Sequence, residues 1–205
     1  MLRYIIAALI GYLLGNLNGA VCVSKLMGDD VRSHGSGNAG LTNFIRSYGG
    51  GSSFLVILID AGKAILACVV GGLLFKEAAD FQTGAAVGGA GVILGHALPA
   101  FLKFRGGKGI LSGLFVAVVV DWRVALMILA VFAIAYFITW YVSLGSVLAA
   151  ATFAIGFACL HYDNPTILIC GIFMGALAIF MHRQNIVRLV KGQERKTNLF
   201  KKDKA

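Results

Sequence analysis

The chain has 205 residues, 59% of them hydrophobic and only 13% charged, whereas an ordinary soluble domain carries about a quarter. The length suits one bundle, and no hydrophilic block is large enough for a second domain. A formal charge of +9 raises nucleic acid as a partner, but the basic residues flank long apolar runs, so no nucleic-acid partner is expected.

The composition predicts an all-α integral membrane protein, in which a spanning helix needs about 20 mostly apolar residues. The first candidate span covers residues 2–23. Its single arginine and apolar run look like a signal peptide, but Gly15-Asn16-Leu17-Asn18-Gly19 lacks a small-residue cleavage pattern, so the segment is expected to be retained. The second covers 53–75 and carries Asp60 and Lys63, three apart and therefore on one helix face. They read either as a structural ion pair or as part of a polar site. Further spans are expected at 84–101, 124–140, 144–160 and 165–181. The segment 110–120 is short, and a re-entrant segment would look the same. Cys22, Cys68, Cys159 and Cys170 all fall in apolar segments without metal or redox spacing, which predicts buried inert thiols.

Seven spans with the N-terminus outside place residues 25–52, 103–109, the turn near 141–143 and the tail from residue 182 on the inside. Those regions hold 14 of the 18 lysines and arginines, as the positive-inside rule requires. Dropping 110–120 would put 103–109 and the tail on opposite sides. The charge pattern thus favours about seven transmembrane helices with a cytoplasmic C-terminus. The whole chain reads as one domain, with a basic tail at 191–205 expected to touch anionic lipid.

Three polar stretches interrupt the apolar pattern. In residues 33–46, three glycines alternate with small polar residues, so that consecutive N–H groups can face one anion. Ser36, Asn38, Thr42 and Asn43 add hydroxyls and amides, and Arg46 adds a fork of charged donors. In residues 95–109, a span ends in Lys103, Arg105 and Lys108, the last set among Gly106, Gly107 and Gly109. Snorkelling explains Lys103 and Arg105 but fits Lys108 and His96 less well. His96 reads as a base, a donor or a satisfied helix-end histidine. In residues 182–196, His182 opens a segment where Asn185 and Arg188 share a helical face. Ser143 and Ser146 sit at a turn as caps or substrate contacts. No histidine has an aspartate five positions later, G-x-S-x-G is missing, and no carboxylate pair lies among the motifs. A protein-borne nucleophile is therefore poorly supported.

The stretches SGNAGLTNFIR, GHALPAFLKFRGGKG and HRQNIVRLVKGQERK, in that order, closely resemble the three motifs of the PlsY family of bacterial membrane glycerol-3-phosphate acyltransferases. YVSLGS and the Asp60–Lys63 pair also resemble that family. The resemblance implies a seven-helix bundle in the bacterial inner membrane with its active site at the cytoplasmic face. It would move an acyl group from acyl phosphate to the 1-position of glycerol 3-phosphate, releasing lysophosphatidic acid and phosphate, the first step of phospholipid synthesis. It implies no cofactor and no metal, and a soluble enzyme that supplies the acyl phosphate. By motif match, Ser36, Asn38, Thr42, Asn43, Arg46 and Lys108 would bind glycerol 3-phosphate. Gly106, Gly107, Gly109, Ser143, Ser146, His182, Asn185 and Arg188 would bind acyl phosphate. Ser36, His96 and Lys108 would be catalytic, with the hydroxyl proton going to a substrate phosphate oxygen or to His96.

Overall fold

The computed structural model describes residues 1–76 and 80–197. The expected connection around residues 76–83 and the basic tail therefore fall partly outside the described residues, at 77–79 and 198–205. Among the described residues the regular structure is helical throughout: α1 (Leu2–Gly15), α2 (Gly19–Leu26), α3 (Leu41–Tyr48), α4 (Ser53–Leu74), α5 (Phe81–Ala97), α6 (Ile110–Val120), α7 (Trp122–Thr139), α8 (Val142–Leu160), α9 (Pro165–Met181) and α10 (Arg183–Val190). Five stretches among the described residues are long and apolar enough to cross a membrane, or six if α9 and α10, bent by 57°, count as one span. The seventh candidate is α6, at 11 residues.

The first apolar stretch is not one helix. The regular helix stops after Gly15, and α2 restarts at Gly19 with the Asn18 side chain accepting from Val21 N at 3.0 Å. The buried Asp60–Lys63 pair of α4, closed at 2.7 Å, satisfies the broken ends. Lys63 Nζ donates to Leu17 O at 2.6 Å, and Asp60 Oδ1 accepts from Gly19 N at 3.1 Å. A cation thus meets the negative end of α1 and an anion the positive end of α2.

Other boundaries follow from caps. α5 begins three residues before the expected start because Asp80 accepts from Thr83 N at 3.2 Å. It stops at Ala97 because Pro99 cannot continue a helix. α7 begins at Trp122 on an Asp121 cap, and α9 at Pro165 on an Asn164 cap. The stretch 25–52, expected as a polar region on the inside, holds α3, which buries Phe44 and Ile45.

α1 and α5 pack through small residues, as membrane helices do. A Cβ on Gly95 would lie 3.0 Å from Gly15 Cα and closer still to Tyr12 O. Leu58, Leu73, Leu126, Ile134, Ile138, Ile155, Ile169 and Phe180 point outward, while Asp60, Lys63, His96 and Ser112 are buried within. Cys68 and Cys170 are buried as expected, but Cys22 is only half-buried and Cys159, on α8, is exposed.

Candidate active site

A cavity of about 310 Å³ lies among α3, α6, α8 and α10. Ser36, Asn38, Thr42, Asn43, Arg46, His96, Lys108, Gly109, Ser143, Ser146, His182, Asn185 and Arg188 all line it, and so do Asp60 and Glu194. The three polar stretches, up to about 150 positions apart in the chain, therefore meet in one place.

The helix ends explain why this place suits anions. α3, α6 and α8 all begin at the cavity, and none has a side-chain cap on its first turn. At the opposite end, α5, α7 and α9 are capped by Asp80, Asp121 and Asn164. Open helix N-termini present unpaired N–H groups and the positive end of the helix dipole, a ready anion site. Gly109, at φ +80°, makes the left-handed turn that starts α6 there. α6 runs from the cavity toward that opposite end. It starts at the cavity and ends at Asp121, whose carboxylate lies 2.9 Å from His161 Nε2 at the end of α8.

The loop over residues 33–40 is built around Asn43, only 3% exposed. Its Nδ2 donates to Val31 O at 3.0 Å and to His34 O and Asn38 O at 3.1 Å, and its Oδ1 accepts from Ser36 N at 2.9 Å. The Asn43 amide is thus engaged in holding the loop, and Ser36 and Asn38 stand at the cavity because of it. Gly35 and Gly37, at φ +56° and +68°, provide the turns. Asn18 Nδ2 ties the loop to α2 through Ala39 O at 2.9 Å.

A charged chain crosses the other wall. Lys108 Nζ donates to Asn185 Oδ1 at 2.6 Å, Asn185 Nδ2 to Glu194 Oε1 at 3.1 Å, and Arg188 Nε to Glu194 Oε2 at 2.8 Å. Burial pushes Lys108 down to about 8; Glu194 opposes this, while Arg188 and Arg46 add to it. Arg46 Nε donates to Thr197 Oγ1 at 2.8 Å, and its Nη2 reaches the same oxygen. Thr197 N and O are held by Trp140 O and Tyr136 Oη, both at 3.1 Å. Glu194 and Thr197, placed by the chain after α10, were not among the expected site residues; the sequence signal was only the acid of Glu194 within the third stretch.

Two features point to ligand contacts. Ser143 Oγ is fully enclosed and has no hydrogen-bond partner among the described residues. Such a group costs about 1–3 kcal/mol unless something else engages it. His182 Nδ1 lies 2.8 Å from Ala178 O. A carbonyl only accepts, so this nitrogen carries the proton and Nε2 is left bare.

Gly106 and Gly107, grouped by resemblance with the acyl-phosphate residues, do not line the cavity. Gly107 N donates to His96 O at 3.0 Å. A Cβ there would lie 2.9 Å from His96 Cε1 and 2.7 Å from Ala39 O. On Gly106 one would lie 2.8 Å from Ala97 O. Both glycines lack a side chain because they back the histidine.

The chain matches the glycerol-3-phosphate acyltransferase family over residues 5–192. It is 38% identical over 193 residues to a glycerol-3-phosphate acyltransferase of Thermoanaerobacter sp. (strain X514), covering 94% of each chain. It is 35% identical to one of Staphylococcus carnosus (strain TM300), covering 94% of this chain and 96% of that one. Among solved structures, it resembles the glycerol 3-phosphate form of PlsY (YgiH), an integral membrane glycerol 3-phosphate acyltransferase. There the TM-score is 0.86 at 32% identity, over 95% of this chain and 96% of that one. The lysophosphatidic acid form gives 0.82 at 31% identity, over 96% of each. The apolar helices, the anion-suited cavity and these likenesses agree: the chain belongs to the PlsY-type family of integral membrane glycerol-3-phosphate acyltransferases.

Proposed function

We propose that this enzyme takes its acyl group from acyl phosphate and attaches it to the 1-hydroxyl of glycerol 3-phosphate. One observation carries the reading: a single cavity joins open helix N-termini and the cations Arg46, Lys108 and Arg188 to an apolar wall of Leu114, Ile128, Leu129 and Phe132. The polar part suits two phosphates, and the apolar part suits an acyl chain. The glycerol 3-phosphate form of the related structure supports the acceptor.

In the reaction, the 1-hydroxyl oxygen attacks the carbonyl carbon of the acyl–phosphate anhydride. The bond between that carbon and the oxygen bridging to phosphorus breaks, phosphate departs with the electron pair, and the hydroxyl proton passes to a phosphate oxygen. The donor is already activated, so holding the two substrates together supplies much of the acceleration. Ser36, Asn38, Thr42, Arg46 and Lys108 hold glycerol 3-phosphate, with Asn43 fixing their loop. Gly109, Ser143, Ser146, His182, Asn185 and Arg188 face acyl phosphate. Gly106 and Gly107 act indirectly, by shaping the ring position of His96. The basic distribution supports a cytoplasmic cavity with the N-terminus outside; the membrane is then the bacterial inner membrane, and a soluble enzyme supplies the donor.

Purified protein in detergent, given acyl phosphate and glycerol 3-phosphate, is expected to release phosphate and lysophosphatidic acid in equal amounts. Lysophosphatidic acid formed from acyl-CoA but not from acyl phosphate would overturn the donor assignment.

A further inference from the structure

Lys63 does more than close the break in the first span. The residue is only 4% exposed, and an ammonium has three hydrogens to place. Two go to Asp60 Oδ1 at 2.7 Å and Leu17 O at 2.6 Å; Gly15 O is more distant at 3.4 Å. The third goes to His96 Nδ1 at 2.8 Å. An ammonium cannot accept, so Nδ1 must offer its lone pair, and a neutral ring then carries its proton on Nε2. Asp60 Oδ1, 3.7 Å from Nδ1, is too far to take that nitrogen for itself.

The Nε2 edge of the ring lies beside Gly107, where any side chain would collide with it. His96 is 4% exposed, lines the cavity, and finds no partner for Nε2 among the described residues. Because His96 lines the cavity, the proton-bearing nitrogen is the ring atom left to meet a ligand there.

We propose that Lys63 is a positioning residue for acyl transfer: it locks His96 as a hydrogen-bond donor to a substrate oxyanion and so removes it as acceptor of the hydroxyl proton. This rests on the acyl-transfer reading above. No lone pair of the ring faces the substrates, and protonating Nδ1 would force a second cation against the Lys63 ammonium. The charge of Lys63 is balanced by Asp60, so the arrangement presents a donor without adding net charge to the pocket. A helix-capping lysine alone would need only the two carbonyls and the carboxylate; the bond to His96 is what extends its influence to the site.

Two measurements test this. Nitrogen NMR of histidine-labelled wild-type protein, with the His96 signals identified by their loss in His96→Gln, reads the tautomer directly. A neutral ring protonated at Nε2, with Nδ1 coupled to the Lys63 ammonium, is expected at neutral pH; an Nδ1–H ring or an imidazolium overturns the proposal. Kinetics then separate donor from base. Glutamine places an N–H near the Nε2 position but cannot take up a proton. His96→Gln is expected to keep kcat within about tenfold of wild type, while His96→Ala falls at least about 100-fold. A glutamine variant as impaired as the alanine one, or an alanine variant at the wild-type rate, refutes the assignment. Wild-type turnover in the same assay reports separately on the acyl-transfer reading.

Discussion

Lys108→Met should separate activity from stability. Burial lowers Lys108 from 10.5 to about 8. At about 1.4 kcal/mol per pH unit, the buried cation costs the fold about 3 kcal/mol at neutral pH. Between about pH 8 and the ordinary lysine range the unfolded chain holds a proton that the folded one has lost, so stability rises with pH through that window. Methionine removes the charge but also the bond to Asn185, which from a charged donor is worth about 1.5–3 kcal/mol. The variant is therefore expected to be at least as stable as wild type, by up to about 1.5 kcal/mol, and to lose at least about 100-fold in turnover, as when one preorganised donor is deleted. In wild type, kcat/KM should fall about tenfold per pH unit above about pH 8, as the free enzyme loses this cation. The assays are thermal unfolding in detergent and phosphate release. A methionine variant that turns over within threefold of wild type, or that melts lower, would refute the reasoning.

Other changes have smaller, separable effects. Ser143→Ala removes a buried hydroxyl without a partner; it should stabilise the fold by about 1 kcal/mol and raise KM for acyl phosphate several-fold, and an unchanged KM would rule out a substrate contact. Gly107→Ala should push the His96 ring aside, lowering turnover at least tenfold and stability by about 1–3 kcal/mol. Arg46→Lys keeps the charge but loses the planar fork, so KM for glycerol 3-phosphate should rise about tenfold with little change in the melting temperature.

The parts of the fold that depend on local chemistry were readable in the sequence. Ile110–Val120 and Pro165–Met181 form helices over the expected residues, because Gly109 and Asp121 bracket the first and Asn164 and Pro165 open the second. The break after Gly15 was not readable, since it depends on Asp60 and Lys63 reaching back more than 40 positions. The earlier start of α5 depends on a single cap at Asp80. In the site, the three polar stretches named the residues that meet, but not their orientation. Asn43 looks like any ligand-facing amide until its bonds to the loop backbone are seen. Glu194 and Thr197 reach Arg188 and Arg46 only because the chain turns back after α10. No periodicity encodes that return.

The central claim is that the three stretches hold glycerol 3-phosphate in this one cavity. A crystal structure of the protein with glycerol 3-phosphate tests it most directly. The phosphate should lie within hydrogen-bond reach of Ser36, Arg46 and Lys108, with the 1-hydroxyl turned toward Ser143 and Asn185. A ligand bound at the far end of the bundle, near Asp121 and His161, would contradict the account.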